Sequence, residues 1–187
     1  RSDQQVPSVD TAVNNLVSEG FICVAAAGNS GTTDTVNSPG TAEKCVTVGA
    51  HNDAFEVTYY SSNGGSGSAK PDLIAPGGTI VFNENESGSA HNLMLAADSN
   101  DGESLVGDDD QVANDYVGFQ GTSMATAAVA GLAQVAIDAF TTKNGPWVWN
   151  ESNALMIKHL LCMSTWESNA AETANLDGDG VNQDPTL

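Results

Sequence analysis

The chain has 187 residues, which is about the size of one domain. It carries 24 acidic residues against 5 basic ones, a formal net charge of −19. This field argues against nucleic acid or an anionic membrane as a partner, because either would require basic patches. Apolar residues make up 40% of the chain, which is enough for a core. No apolar run approaches the roughly 20 residues that a transmembrane helix needs, so none is predicted.

The acidic excess has three readings. It is an adaptation to salt, a means of holding calcium among carboxylates, or the ordinary acidity of a secreted protein. The N-terminal segment Arg1–Gln5 is polar and is not a signal peptide, so we expect a processed chain or part of a longer product. Three cysteines are too few for a disulfide-dense scaffold, and their odd number leaves at least one thiol free.

The first half of the chain alternates between helix and strand. Apolar residues at helical spacing predict a helix over 8–19. The apolar runs Phe21–Ala27 and Cys45–Ala50 are short and bounded by turn residues, which is typical of strands buried on both faces of a parallel sheet. A Gly- and Ser-rich loop is predicted over 61–68, and a short strand within Pro71–Gly78.

The second half begins with a polar, acidic stretch over 83–115 that has no clear period. It is interpreted as a functional or mobile insertion, with a solvated surface loop as the plain alternative. A strong helix is predicted from Thr122 to about Phe140, and another from Asn150 or Ser152 to about Trp166. The alternation predicts an α/β fold with a mostly parallel sheet.

Two segments would lie at the carboxyl ends of the strands, where reactive groups collect in such sheets. A buried strand ends in Gly28-Asn29, and a turn of small residues delivers Ser123 to the start of a long helix. A helix N-terminus offers unpaired N–H groups and a positive dipole end, which stabilise negative charge on an attacked carbonyl. Taken singly, each segment is better explained as a turn or an ordinary helix cap.

Together with two further blocks, these segments resemble the subtilisin-like serine proteases, the subtilases. The matching blocks occur in the family's order over about residues 8–166: FICVAAAGNSG (21–31), NSPGTAEKCVTVGA (37–50), AKPDLIAPG (69–77) and GTSMATAAVAG (121–131). The resemblance implies a three-layer α/β fold with helices on both faces of a mostly parallel sheet. This chain would supply only its C-terminal half, as residues 1–168 with the acidic insertion 83–115, followed by an acidic tail or linker over 169–187.

The resemblance also assigns roles to individual residues. Ser123 would be the nucleophile, and the Asn29 side-chain amide would share the oxyanion with the backbone N–H of Ser123. Peptide substrate would lie along the strand edge, with these substrate-binding residues: Ala25, Ala26, Ala27, Gly28, Asn37, Gly121 and Thr122. Asn37 stands where the family often has Gly, which suggests a smaller or more polar pocket floor. Pro39 matches a proline that is often cis.

One departure concerns the helix after the nucleophile, where Ala127-Ala128 replace the family's Pro-His. This affects the bend of that helix and not the nucleophile, because neither family residue takes part in the chemistry.

The resemblance leaves the rest of the triad unaccounted for. The family order is Asp, His, Ser, and none of His51, His91 and His159 fits the role of the base. We therefore expect the Asp and His on an N-terminal half that is a separate chain or has been lost. The resulting hypothesis is a secreted or cell-surface serine endopeptidase. The alternative is a non-catalytic subtilase-like module that serves structure or protein binding in a cell-surface assembly.

The tail carries an alternation of oxygen ligands that suggests bound calcium: Asn175, Asp177, Asp179 and Asp184. The Glu expected at position 12 of a full calcium loop is absent, since that residue is Thr186, and an acidic disordered linker is the competing reading. Cys23 and Cys45 lie on strands that are neighbours in the family. This leaves open a disulfide or two buried free thiols.

Overall fold

The computed structural model describes residues 6–31, 35–53, 55–65, 68–79, 93–97 and 116–165. Three helices and five strands lie within them. The helices are α1 (Pro7–Ser18), α2 (Thr122–Asn144) and α3 (Glu151–Met163). The strands are β1 (Val24–Ala26), β2 (Val46–His51), β3 (Leu73–Pro76), β4 (Met94–Ala97) and β5 (Tyr116–Phe119).

Strands β1, β2 and β3 form a parallel sheet in that order. Val24 pairs with Val46, and Val48 pairs with Leu73. Because the three strands are parallel, their carboxyl ends meet at one edge of the sheet. The turns that follow β1 and β3 therefore lie at the same edge, on either side of β2, and each forms a hydrogen bond with the residues at the start of α2.

The core forms on the two faces of β2. Val46 and Val48 are two residues apart, so their side chains lie on the same face of the sheet. There they pack with Val129 of α2 and Ile157 of α3. Cys45 lies on the other face, in a cluster that also holds Ala25 and Val13 of α1. Helices thus cover both faces, and the predicted α/β fold with a parallel sheet is confirmed.

The strand over Phe21–Ala27 is shorter than predicted, since only Val24–Ala26 are paired. The chain that becomes β2 pairs only from Val46 onward, and its first bond reaches back to the Cys23 carbonyl, so Phe21 and Ile22 lie beyond the paired residues. Phe21 instead packs on Trp149 with ring centroids 5.7 Å apart and stays half exposed. An apolar run indicates that a segment is buried, but the length of the strand depends on how many residues of the neighbouring strand pair with it.

Four residues of the stretch 83–115, in which the sequence shows no clear period, form a strand. Met94–Ala97 form β4, which pairs antiparallel with β5, from Met94 opposite Phe119 to Ala97 opposite Tyr116. Most of β4 is exposed, with Leu95 72% exposed, so the strand shows no alternation of buried and exposed residues. Its existence depends on a partner about 20 residues away in sequence and could not be read from local pattern.

Helix α2 is the one helix in the described ranges whose length and apolar composition would allow it to cross a membrane. That criterion is weak evidence, because the core helices of globular folds meet it as well. Here α2 packs against all three strands of the parallel sheet. Its opposite face is exposed, with Leu132 at 52% and Val135 at 61% exposure.

A buried charge cluster joins α3 to the amino ends of β2 and β3. The Asp72 carboxylate accepts hydrogen bonds from Lys70 Nζ at 2.6 Å, Lys158 Nζ at 2.9 Å and the Thr47 N–H at 2.7 Å. Both ammonium groups also donate to the carbonyl of Cys45. Burial lowers the pKa of Lys70, although the Asp72 carboxylate beside it opposes this shift.

Two further sequence predictions concern residues in or near loops. The Ser38–Pro39 peptide is cis, as expected for Pro39, and Lys70–Pro71 is cis as well. All three cysteines, Cys23, Cys45 and Cys162, are unlinked thiols. The tail over 169–187, with its predicted calcium ligands, lies outside the described residues.

Candidate active site

The turn after β1 and the turn before α2 are joined by hydrogen bonds through Asn29 and Thr122. The Thr122 backbone N–H donates to Asn29 Oδ1 at 3.0 Å, and the Thr122 hydroxyl donates to the same oxygen at 2.9 Å. The Gly28 N–H donates to Thr122 Oγ1 at 3.2 Å. Thr122 is fully buried, so this link holds Asn29 against the start of the helix.

These bonds fix which way the Asn29 amide faces. A backbone N–H can only donate, so the group that faces Thr122 N must be the oxygen of the amide. The nitrogen Nδ2 then points away from Thr122, and no described residue accepts a hydrogen bond from it. Asn29 is exposed, so Nδ2 remains available to an incoming acceptor.

Glycines allow both turns to take this shape. Gly28 has φ 110° and Gly121 has φ 149°, backbone conformations that side chains with Cβ rarely adopt. The Gly121 N–H donates to Gly77 O at 2.8 Å, which ties the second turn to the end of β3 as well. The turn before α2 is therefore held from β1 on one side and β3 on the other.

Ser123 is the second residue of α2 and is exposed. The next two N–H groups, of Met124 and Ala125, turn back to Gly121 O. Within the described chain no acceptor is found for the Ser123 N–H. No acidic residue lies in the first turn of α2, so the helix's own first turn does not offset the positive end of its dipole. An exposed hydroxyl thus stands beside an available N–H and the Asn29 amide, an arrangement suited to developing negative charge.

A base for Ser123 is not found in the part of the chain that the structure describes. No described residue forms a hydrogen bond with the Ser123 hydroxyl. His51 ends β2, with its Nδ1 2.7 Å from the carbonyl of Asn52 and its ring against Phe55. His159 lies exposed on α3, and His91 is outside the described residues.

Six of the seven predicted substrate-binding residues fall into two groups, and Asn37 lies apart from both. Gly28, Gly121 and Thr122 lie in the two joined turns beside Ser123. The alanines of the first block, Ala25, Ala26 and Ala27, run along β1 and just beyond it. β1 is an outer strand of the described sheet, so one of its backbone edges is unpaired there. Asn37 lies half-buried in the connection between β1 and β2, before the cis Ser38–Pro39 peptide.

Sequence reasoning missed the residues that support these turns from behind. The Tyr60 hydroxyl donates to Gly77 O at 2.8 Å and also contacts Gly78 O. Its burial raises the pKa of Tyr60. Ser62 Oγ accepts from the Ser30 N–H at 3.1 Å. The only local signal is that Tyr60 and Ser62 are residues with hydroxyl groups soon after a buried strand. That pattern does not show which groups they bond to.

Metal ligands do not cluster at this site. Within the described ranges, no group of three or more His, Cys, Asp or Glu side chains could hold a metal ion. The proposed ligands Asn175, Asp177, Asp179 and Asp184 are outside those ranges.

The sequence model of the Subtilase family matches residues 1–183 of the chain. Serine protease AprX of Bacillus subtilis is 34% identical over 141 residues, which cover 70% of this chain and 29% of that protein. Subtilisin of Bacillus pumilus is 31% identical over 138 residues, covering 72% of this chain and 39% of that protein.

Among solved structures, a protease from Pseudoalteromonas arctica PAMC 21717 superposes with a TM-score of 0.66 at 26% identity. The superposition covers 90% of this chain and 42% of that one. The chain therefore spans less than half the length of each of these three proteins.

Proposed function

The chain belongs to the subtilase family, and from this membership we propose that it supplies the nucleophile and oxyanion hole of a serine endopeptidase. The observation that carries the proposal is the pair of hydrogen bonds from Thr122 to Asn29 Oδ1, at 3.0 and 2.9 Å. They turn the amide nitrogen of Asn29 outward at the helix end that bears Ser123. Asn29 is exposed and comes from the turn after β1, so its amide stands at the end of the helix without being part of it.

In the proposed reaction the Ser123 hydroxyl attacks the scissile carbonyl and passes its proton to a histidine. The carbonyl oxygen becomes negative and is held by Asn29 Nδ2 and the Ser123 N–H. The tetrahedral intermediate collapses, the peptide C–N bond breaks, and the histidine returns the proton to the leaving amine. Water then takes the place of the amine. It attacks the acyl-Ser123 ester while the histidine accepts its proton, and the histidine returns that proton to the Ser123 oxygen as the acid leaves.

The histidine and its aspartate would come from an N-terminal half of the same protease. Two observations support this partner. The described residues provide no base for Ser123, and the outward face of α2 is exposed although it is built of apolar and small residues, including Leu132 and Val135. A second layer of the domain packed on that face would bury it. The share of the relatives that the chain covers leaves room for such a layer.

Peptide substrate would add as a strand along the Ala25–Gly28 edge. The unpaired outer edge of β1 in the described sheet supports this mode, because the backbone of an extended peptide could pair there. Asn37 would form part of the pocket for the residue before the scissile bond, and its amide would favour a small or polar side chain.

Two further features of the proposal depend on the sequence alone. The protease would act outside the cell or at its surface. Its tail would bind structural calcium through Asn175, Asp177, Asp179 and Asp184, which are oxygen ligands of the kind calcium prefers.

A fluorophosphonate probe tests the proposal, because it reacts only with a serine activated by a base. Protein that contains both this chain and the upstream segment should carry one adduct, mapped by peptide mass spectrometry to Ser123. Ser123→Ala should carry none. The chain alone should react far more slowly, because a serine without a base is a weak nucleophile. Intact-mass analysis of the native protein should find the upstream polypeptide.

Absence of an adduct on Ser123 in material that contains both segments would overturn the protease proposal. It would favour the alternative, a subtilase-like module without catalysis. Sequencing the upstream segment provides an independent check, because the alternative requires that its Asp or His motif be degenerate or missing.

A further inference from the structure

Two of the three cysteines stand side by side at the start of the parallel sheet. Val24 of β1 pairs with Val46 of β2, so Cys23 and Cys45 occupy the preceding position on each strand. The Val46 N–H donates to the Cys23 carbonyl at 2.8 Å, which holds the two chains together at this point. The Cys45 thiol donates to the same carbonyl at 3.3 Å.

Both side chains lie on the same face of the sheet. Cys45 is 1% exposed in a cluster with Ala25 and Ala42, and Cys23 packs against that cluster. Cys162 belongs to a different environment, because it packs against the core on the opposite, α2-facing side. Of the three possible pairings, only Cys23 with Cys45 joins thiols that share one face.

The spacing of the strands suits a covalent link. Neighbouring strands lie about 4.8 Å apart, and the Cα atoms of a disulfide are usually 4.4–6.8 Å apart. We propose that Cys23 and Cys45 form an intrachain disulfide when the protein folds in an oxidising environment, leaving Cys162 as the free thiol.

The oxidant is a small disulfide such as oxidised glutathione. One cysteine thiolate attacks it, forming a mixed disulfide and releasing one glutathione thiol. The other cysteine then attacks the mixed disulfide and releases the second. Two protein thiols lose two electrons and two protons in all, and one oxidised glutathione becomes two reduced ones. Burial raises the pKa of Cys45 to about 12 and also raises that of Cys23. Thiolate is therefore scarce in the folded protein, and the bond is expected to form before this face is covered.

The disulfide would close a loop that contains Asn29 and Asn37. It would tie both ends of the segment that, according to the proposed function, supplies an oxyanion donor and a pocket residue. This consequence rests on the proposed function, whereas the existence of the bond does not. The thiol mapping below therefore tests the bond whether or not Ser123 reacts with a fluorophosphonate.

The test is to refold the protein in a mixture of reduced and oxidised glutathione, block free thiols with iodoacetamide, and map the unreduced peptides. We expect one cross-linked peptide joining Cys23 to Cys45, alkylation of Cys162, and a loss of two hydrogen atoms from the intact mass. The oxidised protein should melt roughly 6–12 °C above the reduced one, as expected for a closed loop of about 20 residues.

Cys162→Ser is the matched control, and it should retain both the cross-link and the rise in melting temperature. Cys23→Ser should lose both. Alkylation of Cys23 and Cys45 after refolding, stable glutathione adducts on them, or a link that includes Cys162 would each overturn the proposal. Because the mapping is done on the unmutated protein, a variant that fails to fold leaves the result intact.

Discussion

At the scale of single residues, the contact between Asn29 and Thr122 fixes the orientation of one side chain of the candidate site. An exposed amide on a turn has many orientations open to it. Two donors from Thr122, one of them the backbone N–H, remove that freedom before any substrate arrives. Preorganised donors of this kind are effective in catalysis because they need no reorganisation when charge develops.

Replacing Asn29 by Leu should lower kcat by about 10²–10³-fold with little change in KM, in protein that also contains the upstream segment. This is the loss that removal of the oxyanion-hole asparagine causes in subtilisin, a relative of this chain, and it is taken over from there. Asn29→Asp is the sharper variant, because its oxygen can still accept from Thr122 while the N–H donor is gone.

Steady-state kinetics on a chromogenic peptide would measure both variants. Asn63→Ala, at an exposed asparagine in another loop, should retain normal kcat. Normal kcat in Asn29→Asp would show that the amide does not hold the oxyanion.

At the scale of secondary-structure elements, the two ends of the parallel sheet carry different groups of residues. Its carboxyl edge carries the two turns of the candidate site. Its amino edge carries the Asp72 cluster, where one carboxylate is shared by Lys70 and Lys158 and so joins α3 to β2 and β3. All three side chains are about 10% exposed, so water replaces little of what a substitution would remove.

Replacing Asp72 by Asn should destabilise the protein by about 3–5 kcal/mol, because two buried ammonium groups would lose their only carboxylate in the cluster. Lys158→Met should cost less, since it leaves Lys70 paired one-to-one with Asp72 and keeps the apolar stem of the side chain. Urea denaturation at neutral pH would compare them. Equal losses for the two variants would contradict the role given to the shared carboxylate.

At the scale of the whole molecule, most acidic residues and the residues of the candidate site lie in different segments of the chain. More than half of the acidic residues lie in 83–115 and 167–184. The turns that carry Ser123 and Asn29 are nearly uncharged. The net charge of −19 thus comes mainly from these two segments, and the carboxylates of the tail are the basis for proposing calcium there.

Removing calcium with EDTA should lower the melting temperature by roughly 5–10 °C, the size expected when a ligand at about 100 times its Kd is withdrawn. Ionic strength must be matched, because any cation screens so acidic a chain. Restored stability with calcium and not with magnesium, and loss of the effect in Asp177→Asn/Asp179→Asn, would support the site. An unchanged melting temperature would argue against structural calcium.

Helix and strand positions followed from local pattern, because apolar periodicity records which residues are buried. The helix at Thr122–Asn144 and the strands at Val46–His51 and Leu73–Pro76 lie where they were predicted. The strand Met94–Ala97 did not show in the pattern, because an exposed four-residue strand is defined by its partner rather than by its own composition. The same holds for the supports Tyr60 and Ser62, whose bonding partners are 17 and 32 residues away in sequence.

By itself the sequence determined the family, the α/β class and the candidate nucleophile, since these depend on residue types at fixed local spacing. Only the tertiary structure decided which way the Asn29 amide faces and that the Cys23 and Cys45 side chains pack in one cluster on the same face of the sheet. Both depend on contacts between segments distant in sequence: Thr122 lies 93 residues from Asn29, and Cys45 lies 22 residues from Cys23. Local pattern carries no information about such pairs, because strand register and helix packing bring them together only when the chain folds.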